Sequence, residues 1–165
     1  MKRIIVIGCP GSGKSRFSKE LHEITDIPLY HLDMMYWNED RTTVEKSVFL
    51  RRLREVLERD SWIIDGNYIS TMEERICACD TVFFLDYPVE VCLDGIKERV
   101  GKARDDIPWV EREIDCEFVE FVKNFDVDTR CAVIALLEKY VDKSITVFKC
   151  RAEATAFLSK PEKHT

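Results

Sequence analysis

Gly8-Cys9-Pro10-Gly11-Ser12-Gly13-Lys14-Ser15 is the stretch on which the reading of this chain turns. It fits the pattern G-x-x-x-x-G-K-[ST] at every position. The residue types answer a chemical need. Glycines let successive backbone N–H groups turn inward around phosphate oxygens, and the helix that follows adds its positive end. Lys14 is spaced to reach the β- and γ-phosphates as a point charge, and the Ser15 hydroxyl to ligate Mg²⁺. Pro10, Ser12 and Arg16 belong to the same nucleotide-gripping segment. The plainer alternative is a glycine-rich turn with an exposed lysine. Context weighs against it, because the motif sits between a β-branched apolar run, Arg3-Ile4-Ile5-Val6-Ile7, and a helical period from about Lys14 to Ile24. ATP, or a close relative, with Mg²⁺ is the expected ligand.

Outward from the cradle, short apolar runs alternate with helical periods. Pro28 to Leu32, Trp62 to Gly66, Thr81 to Leu85 and Ser144 to Lys149 read as four further strands. Val44, Val48, Phe49, Leu53, Val56 and Leu57 recur at helical spacing. A helix entered at Pro88 is expected to run to about Val100. Ile114 to Phe125, Val133 to Tyr140 and Ala152 to Leu158 read as three more. Five strands separated by helices imply a parallel α/β sheet covered on both faces. The expected organisation is one domain over 1–160 with a polar tail, 161–165. Its small lid covers about 101–112, and the aperiodic part, Gly101 to Val110, is the candidate mobile flap.

Composition narrows the class. The 165 residues are 45% hydrophobic and 34% charged, an ordinary globular balance. A net charge of −6 argues against direct coating of nucleic acid. The seven cysteines show no Cys-x-x-Cys pair, so they read as reduced, mostly buried thiols of a cytoplasmic protein. Neither a signal peptide nor a bilayer-spanning stretch is expected.

The cradle, together with His31-Leu32-Asp33, Tyr36-Trp37, Trp62-Ile63-Ile64-Asp65-Gly66-Asn67-Tyr68 and Phe84-Leu85-Asp86-Tyr87-Pro88, resembles the bacterial topology modulation proteins, which are adenylate-kinase-like P-loop kinases. The resemblance covers nearly the whole chain, and the Asp-Gly-Asn-Tyr segment is its most specific part. It implies a sheet in the order 2-3-1-4-5. The end of strand three then lies beside the cradle and the end of strand two one position further out, about 10 Å away. On that layout Asp65 holds Mg²⁺ or its waters, unless it is only a turn-forming Asp-Gly. Asp33 ends strand two and binds the phosphoryl acceptor or takes its proton, unless it is a cap or turn aspartate.

Asn67 and Tyr68 line the acceptor pocket or simply form the turn. Tyr36 and Trp37 stack on a base or pack beneath a helix. The resemblance also implies that lid arginines, here Arg99 and Arg104, clamp the nucleotide and neutralise transition-state charge, and that Arg151 lines the adenine site. One departure bears on the acceptor. Adenylate kinases carry an arginine soon after the strand-two aspartate and another in the segment after strand three, both binding the acceptor's phosphate. Neither is present here, so AMP would lose its main charge-assisted hydrogen bonds. Arg41, Arg51 and Arg52 are the candidates to stand in.

The expectation is an ATP- and Mg²⁺-dependent phosphotransferase whose small-molecule acceptor is a nucleoside, a nucleotide or another hydroxyl compound. A nucleoside-monophosphate kinase is one alternative. An ATP-binding regulatory switch with slow hydrolysis is the other.

Overall fold

The computed structural model describes residues 1–159, so the polar tail expected at 161–165 lies outside the described residues. Five strands, β1 (Arg3–Gly8), β2 (Leu29–His31), β3 (Trp62–Asp65), β4 (Thr81–Leu85) and β5 (Ser144–Phe148), form one sheet in the order β2-β3-β1-β4-β5. Every pairing is parallel. Because strand side chains alternate, β1 divides its apolar residues between two cores. Ile4 and Val6 pack with α1 (Lys14–Thr25), α5 (Val89–Arg99), α6 (Cys116–Lys123) and α8 (Arg151–Leu158). Ile5 and Ile7 pack with α3 (Lys46–Leu57), α4 (Ile69–Ala78) and α7 (Cys131–Lys139). Each fully buried isoleucine or leucine contributes about 1.5–3 kcal/mol.

Two helices escape the apolar periodicity. The first is α2 (Leu32–Tyr36), a single turn too short to show a period. It takes over where β2 ends, so Asp33 lies in the first turn of a helix and not at a strand terminus. The second is α4, whose inward stripe of Met72 and Ile76 is interrupted by the fully buried Arg75. A charge on the apolar face hides the helix from pattern reading. Between α6 and α7 the chain makes one π turn, Asp126–Arg130, so the two late helices run almost continuously.

The lid segment after α5 has no regular helix, yet it is tied at its base, where Gly101 N–H donates to Glu111 O at 2.7 Å. All seven cysteines are free, but only Cys9, Cys79 and Cys92 are buried. Cys77, Cys116, Cys131 and Cys150 sit on the outward sides of their helices or at a helix cap, which corrects the expectation of mostly buried thiols. Among the described residues no helix is long and apolar enough to cross a membrane.

Candidate active site

The cradle is built by strain that only glycine carries cheaply. Gly11 and Gly13 have φ of +83° and +93°, in the left-handed region, and Gly13 caps α1. The loop is also pressed against α5. A Cβ on Gly11 would lie 2.0 Å from the Cys92 carbonyl oxygen, and one on Gly95 would lie 2.0 Å from that of Gly11. Within the loop, Ser12 N–H donates to Cys9 O at 3.1 Å, and the buried Ser12 hydroxyl has no partner among the described residues. Lys14 folds back, its Nζ donating to Cys9 O at 3.3 Å. Burial lowers the Lys14 pKa, while Asp65 and Asp33 oppose that shift, so all three share one electrostatic neighbourhood.

Asn67 secures the loop's entry. Its Oδ1 accepts from Gly8 N–H at 3.0 Å and its Nδ2 donates to Gly8 O, so its amide is engaged with the cradle. Arg75 in turn holds the segment that carries Asn67. Its guanidinium donates to the carbonyls of Gly66, Asn67 and Tyr68 at 2.9 to 3.2 Å. Burial lowers its pKa to about 10, with Asp65 opposing. With its donors spent on carbonyls, Arg75 does not substitute for the missing acceptor-side arginines.

Two carboxylates, Asp65 and Asp33, act on Lys14, and a third, Asp106, acts on Asp33 and His31. Asp65 ends β3 opposite Val6, and its Oδ1 takes the His31 Nδ1 at 2.8 Å. Its Oδ2 is buried without a partner among the described residues. Asp33 accepts the Tyr68 hydroxyl at 2.6 Å. Burial raises the Asp33 pKa, against the pull of Tyr68 and Lys14. Asp106, from the lid, accepts the Ser15 hydroxyl at 2.5 Å. Burial would raise the Asp106 pKa, but Arg104, Ser15 and His31 together lower it. Burial likewise opposes protonation of His31, yet Asp65, Asp106 and Asp33 raise its pKa.

The lid cations are held by lid acids. Arg104 forks onto both oxygens of Asp106 and reaches Glu111 at 2.8 Å. Arg99 donates to Glu111 at 2.8 Å and lies over the Phe118 ring. Next to Asp33 stands an aromatic cluster. Tyr36 meets Trp37, Phe49 and Tyr68 edge-on with centroids 5.1 to 5.3 Å apart. Trp37 meets Trp109 of the lid at 5.5 Å, and Arg41 lies over Trp109. Arg52 donates to Met35 O, and Arg51 pairs loosely with Glu55 on the outer face of α3.

Of the residues read from sequence, Lys14, Asp65, Asp33, Tyr68 and the two lid arginines thus share one end of the sheet. Arg16 instead points to solvent and pairs with Glu20 at 2.8 Å. Arg151 lies across α5, 3.7 Å from Glu98 and close to Gly95. His31, Asp106, Glu111, Trp109 and Arg75 were not assigned roles from sequence. Only Asp106 left a signal there, as the second of two acids that follow the lid's Arg104. An open depression of about 420 Å³ near Lys2, Asp80 and Lys143 lies at the opposite end of the strands and shares none of these residues.

No family model matches the chain. It is 27% identical over 138 residues to an adenylate kinase of Thermosipho africanus, a match covering 79% of this chain and 63% of that protein. It is 32% identical over 106 residues to an adenylate kinase of Thermosipho melanesiensis, covering 60% of this chain and 48% of the relative. The chain therefore spans about half to two thirds of the curated relatives it matches. A shikimate kinase from Bacteroides thetaiotaomicron superposes with a TM-score of 0.58 at 18% identity, covering 95% of this chain and 94% of that one. A shikimate kinase from Aquifex aeolicus gives 0.56 at 20% identity, covering 94% and 90%. The structural neighbours show the fold, a five-stranded parallel sheet with helices around it. The two sequence relatives are both adenylate kinases.

Proposed function

We propose that this chain is an ATP- and Mg²⁺-dependent phosphotransferase acting on a small hydroxyl acceptor that carries no phosphate where AMP would. The observation that carries the reading is the position of Asp33, whose carboxylate is oriented by Tyr68 within the electrostatic reach of Lys14. A hydroxyl bound to Asp33 would face the phosphates held by the cradle. As the oxygen attacks the γ-phosphoryl group, Asp33 accepts its proton. The raised pKa of Asp33 suits it to that task, since a base works best near the ambient pH. Lys14 and the cradle amides stabilise charge on the β- and γ-phosphates. Arg99 and Arg104 would exchange their lid carboxylates for phosphate oxygens.

The Ser15 hydroxyl and the unpartnered Oδ2 of Asp65 are hard oxygen donors of the kind Mg²⁺ takes, together with phosphate oxygens and water. They fit the ion, and when bound it supplies charge neutralisation along the phosphates. The nearest cations on the acceptor side favour a neutral acceptor over a nucleoside monophosphate. Arg75 is spent on carbonyls, Arg52 on Met35 O, and Arg41 lies over Trp109.

The test is ATP consumption by the wild type and two variants, with and without a panel of nucleosides, nucleotides and polyols. Lys14→Ala should weaken ATP binding and abolish turnover while the domain stays folded. Asp33→Asn should keep ATP affinity and lose acceptor-dependent turnover by roughly 10²–10⁴. Slow hydrolysis indifferent to every addition would overturn the kinase reading in favour of a regulatory switch.

A further inference from the structure

The contact between the lid and the cradle does more than close the site over a ligand. Asp106 is 6% exposed and brings its Oδ2 to the Ser15 hydroxyl at 2.5 Å, across 91 residues of sequence. That hydroxyl is the one a P-loop uses for Mg²⁺. On the other side stands Asp65, 4% exposed, with its Oδ2 buried and unpartnered. A buried carboxylate oxygen without a partner forfeits its hydration unless some ligand restores it. Both acids act on one imidazole. His31 bonds Asp65 at 2.8 Å and also feels the charge of Asp106. A hydroxyl from α1 and a carboxylate from the lid thus meet at the end of the sheet where β3 brings its own buried carboxylate.

Mg²⁺ in nucleotide sites takes one or two carboxylates, with phosphate oxygens and waters completing an octahedron. We propose that Asp106 is the lid's contribution to the magnesium site, so that metal loading and lid closure are one event. This rests on the nucleotide-binding reading given above. The rival account makes Asp106 a stand-in for phosphate that plugs the cradle. A phosphate mimic would engage the cradle's donors, yet Lys14 Nζ donates to Cys9 O, and the N–H groups of Gly8 and Ser12 donate to Asn67 and Cys9. Asp106 bonds the metal-ligating hydroxyl and Arg104. Arg104 holds both oxygens of that carboxylate here, and its transfer to phosphate oxygens would free them for the metal.

The experiment uses the full chain with a non-hydrolysable ATP analogue, and Mn²⁺ as a paramagnetic probe whose free concentration is read by electron paramagnetic resonance. Analogue affinity is measured separately with no metal present. Asp106→Asn keeps the size and removes the charge. It should weaken Mn²⁺ binding to the analogue complex by at least about 10-fold, the loss typical of removing even an outer partner of a metal ligand, while metal-free analogue affinity stays within about twofold. Asp106→Glu should recover part of the loss, which also guards against a folding defect in the asparagine variant. A second readout is tryptophan fluorescence, since Trp109 lies three residues away in the lid. Mg²⁺ added to the wild-type analogue complex should change the emission, and in Asp106→Asn the change should need correspondingly more Mg²⁺. Unchanged Mn²⁺ affinity in Asp106→Asn overturns the proposal. So does tighter metal-free analogue binding without a metal defect, which would mark Asp106 as a plug. A wild-type chain that does not bind the analogue overturns the nucleotide reading itself, and that failure is visible before any variant is made.

Discussion

Gly95, in the middle of α5, is predicted to govern the shape of a cradle to which it contributes no ligand. In an ordinary helix, Gly→Ala is stabilising by about 1 kcal/mol, because alanine gives up less backbone entropy. Here the added Cβ would stand 2.0 Å from the carbonyl oxygen of Gly11, about 1.4 Å short of ordinary contact. The obstructing atom is backbone, and Gly11 sits at φ +83° between α5 and the phosphate site, so neither partner can swing aside like a side chain. Relief requires the loop to move off α5 or α5 to move off the sheet. Overpacking of this kind costs about 1–3 kcal/mol. Set against the propensity gain, the net loss should be up to about 2 kcal/mol. The functional loss should exceed it in consequence, because a loop shifted by about 1 Å no longer aims its N–H groups at the phosphates. Affinity for a non-hydrolysable ATP analogue with Mg²⁺ should fall at least about tenfold, or ~1.4 kcal/mol. Urea unfolding and isothermal titration measure the two quantities. A Gly95→Ala protein that gains about 1 kcal/mol and binds the analogue normally would refute the reasoning.

Two further predictions concern the lid and the acceptor aspartate. The segment 101–112 should become protected from hydrogen exchange when the ATP analogue and Mg²⁺ are both present, as Arg104 and Arg99 move from lid acids to phosphates; exchange unchanged at saturation would mark it as a static loop. Burial raises the Asp33 pKa in the fold, so its contribution to stability is fully present below the unfolded-state pKa of about 3.9 and is lost as pH rises through the folded value. The stability of the wild type relative to Asp33→Asn should therefore improve as pH falls from 7 toward 4, and a difference that is flat or runs the other way in paired unfolding curves would contradict this.

Residues Gly8 to Ser15 alone carried the expectation of a nucleotide cradle, because a loop of this kind depends on local backbone geometry and a fixed Lys-Ser spacing. Strand positions were legible for a similar reason. Buried parallel strands such as Ile4 to Ile7 and Val82 to Leu85 are continuous apolar runs, whose pairing partners need not be known to find them. The order of those strands entered through resemblance, and the pairing of β1 with β3 and β4 bears it out. What sequence could not decide was which distant groups meet. Asp106 reaches Ser15 across 91 residues, and His31 reaches Asp65 across 34. Nothing in local spacing encodes such contacts, since they exist only once the sheet has brought strand ends together and the lid has folded over them. Arg75 is the sharpest case. In sequence it is one more charge between two strand-like runs, and only packing turns it inward, where loop carbonyls take the place of solvent.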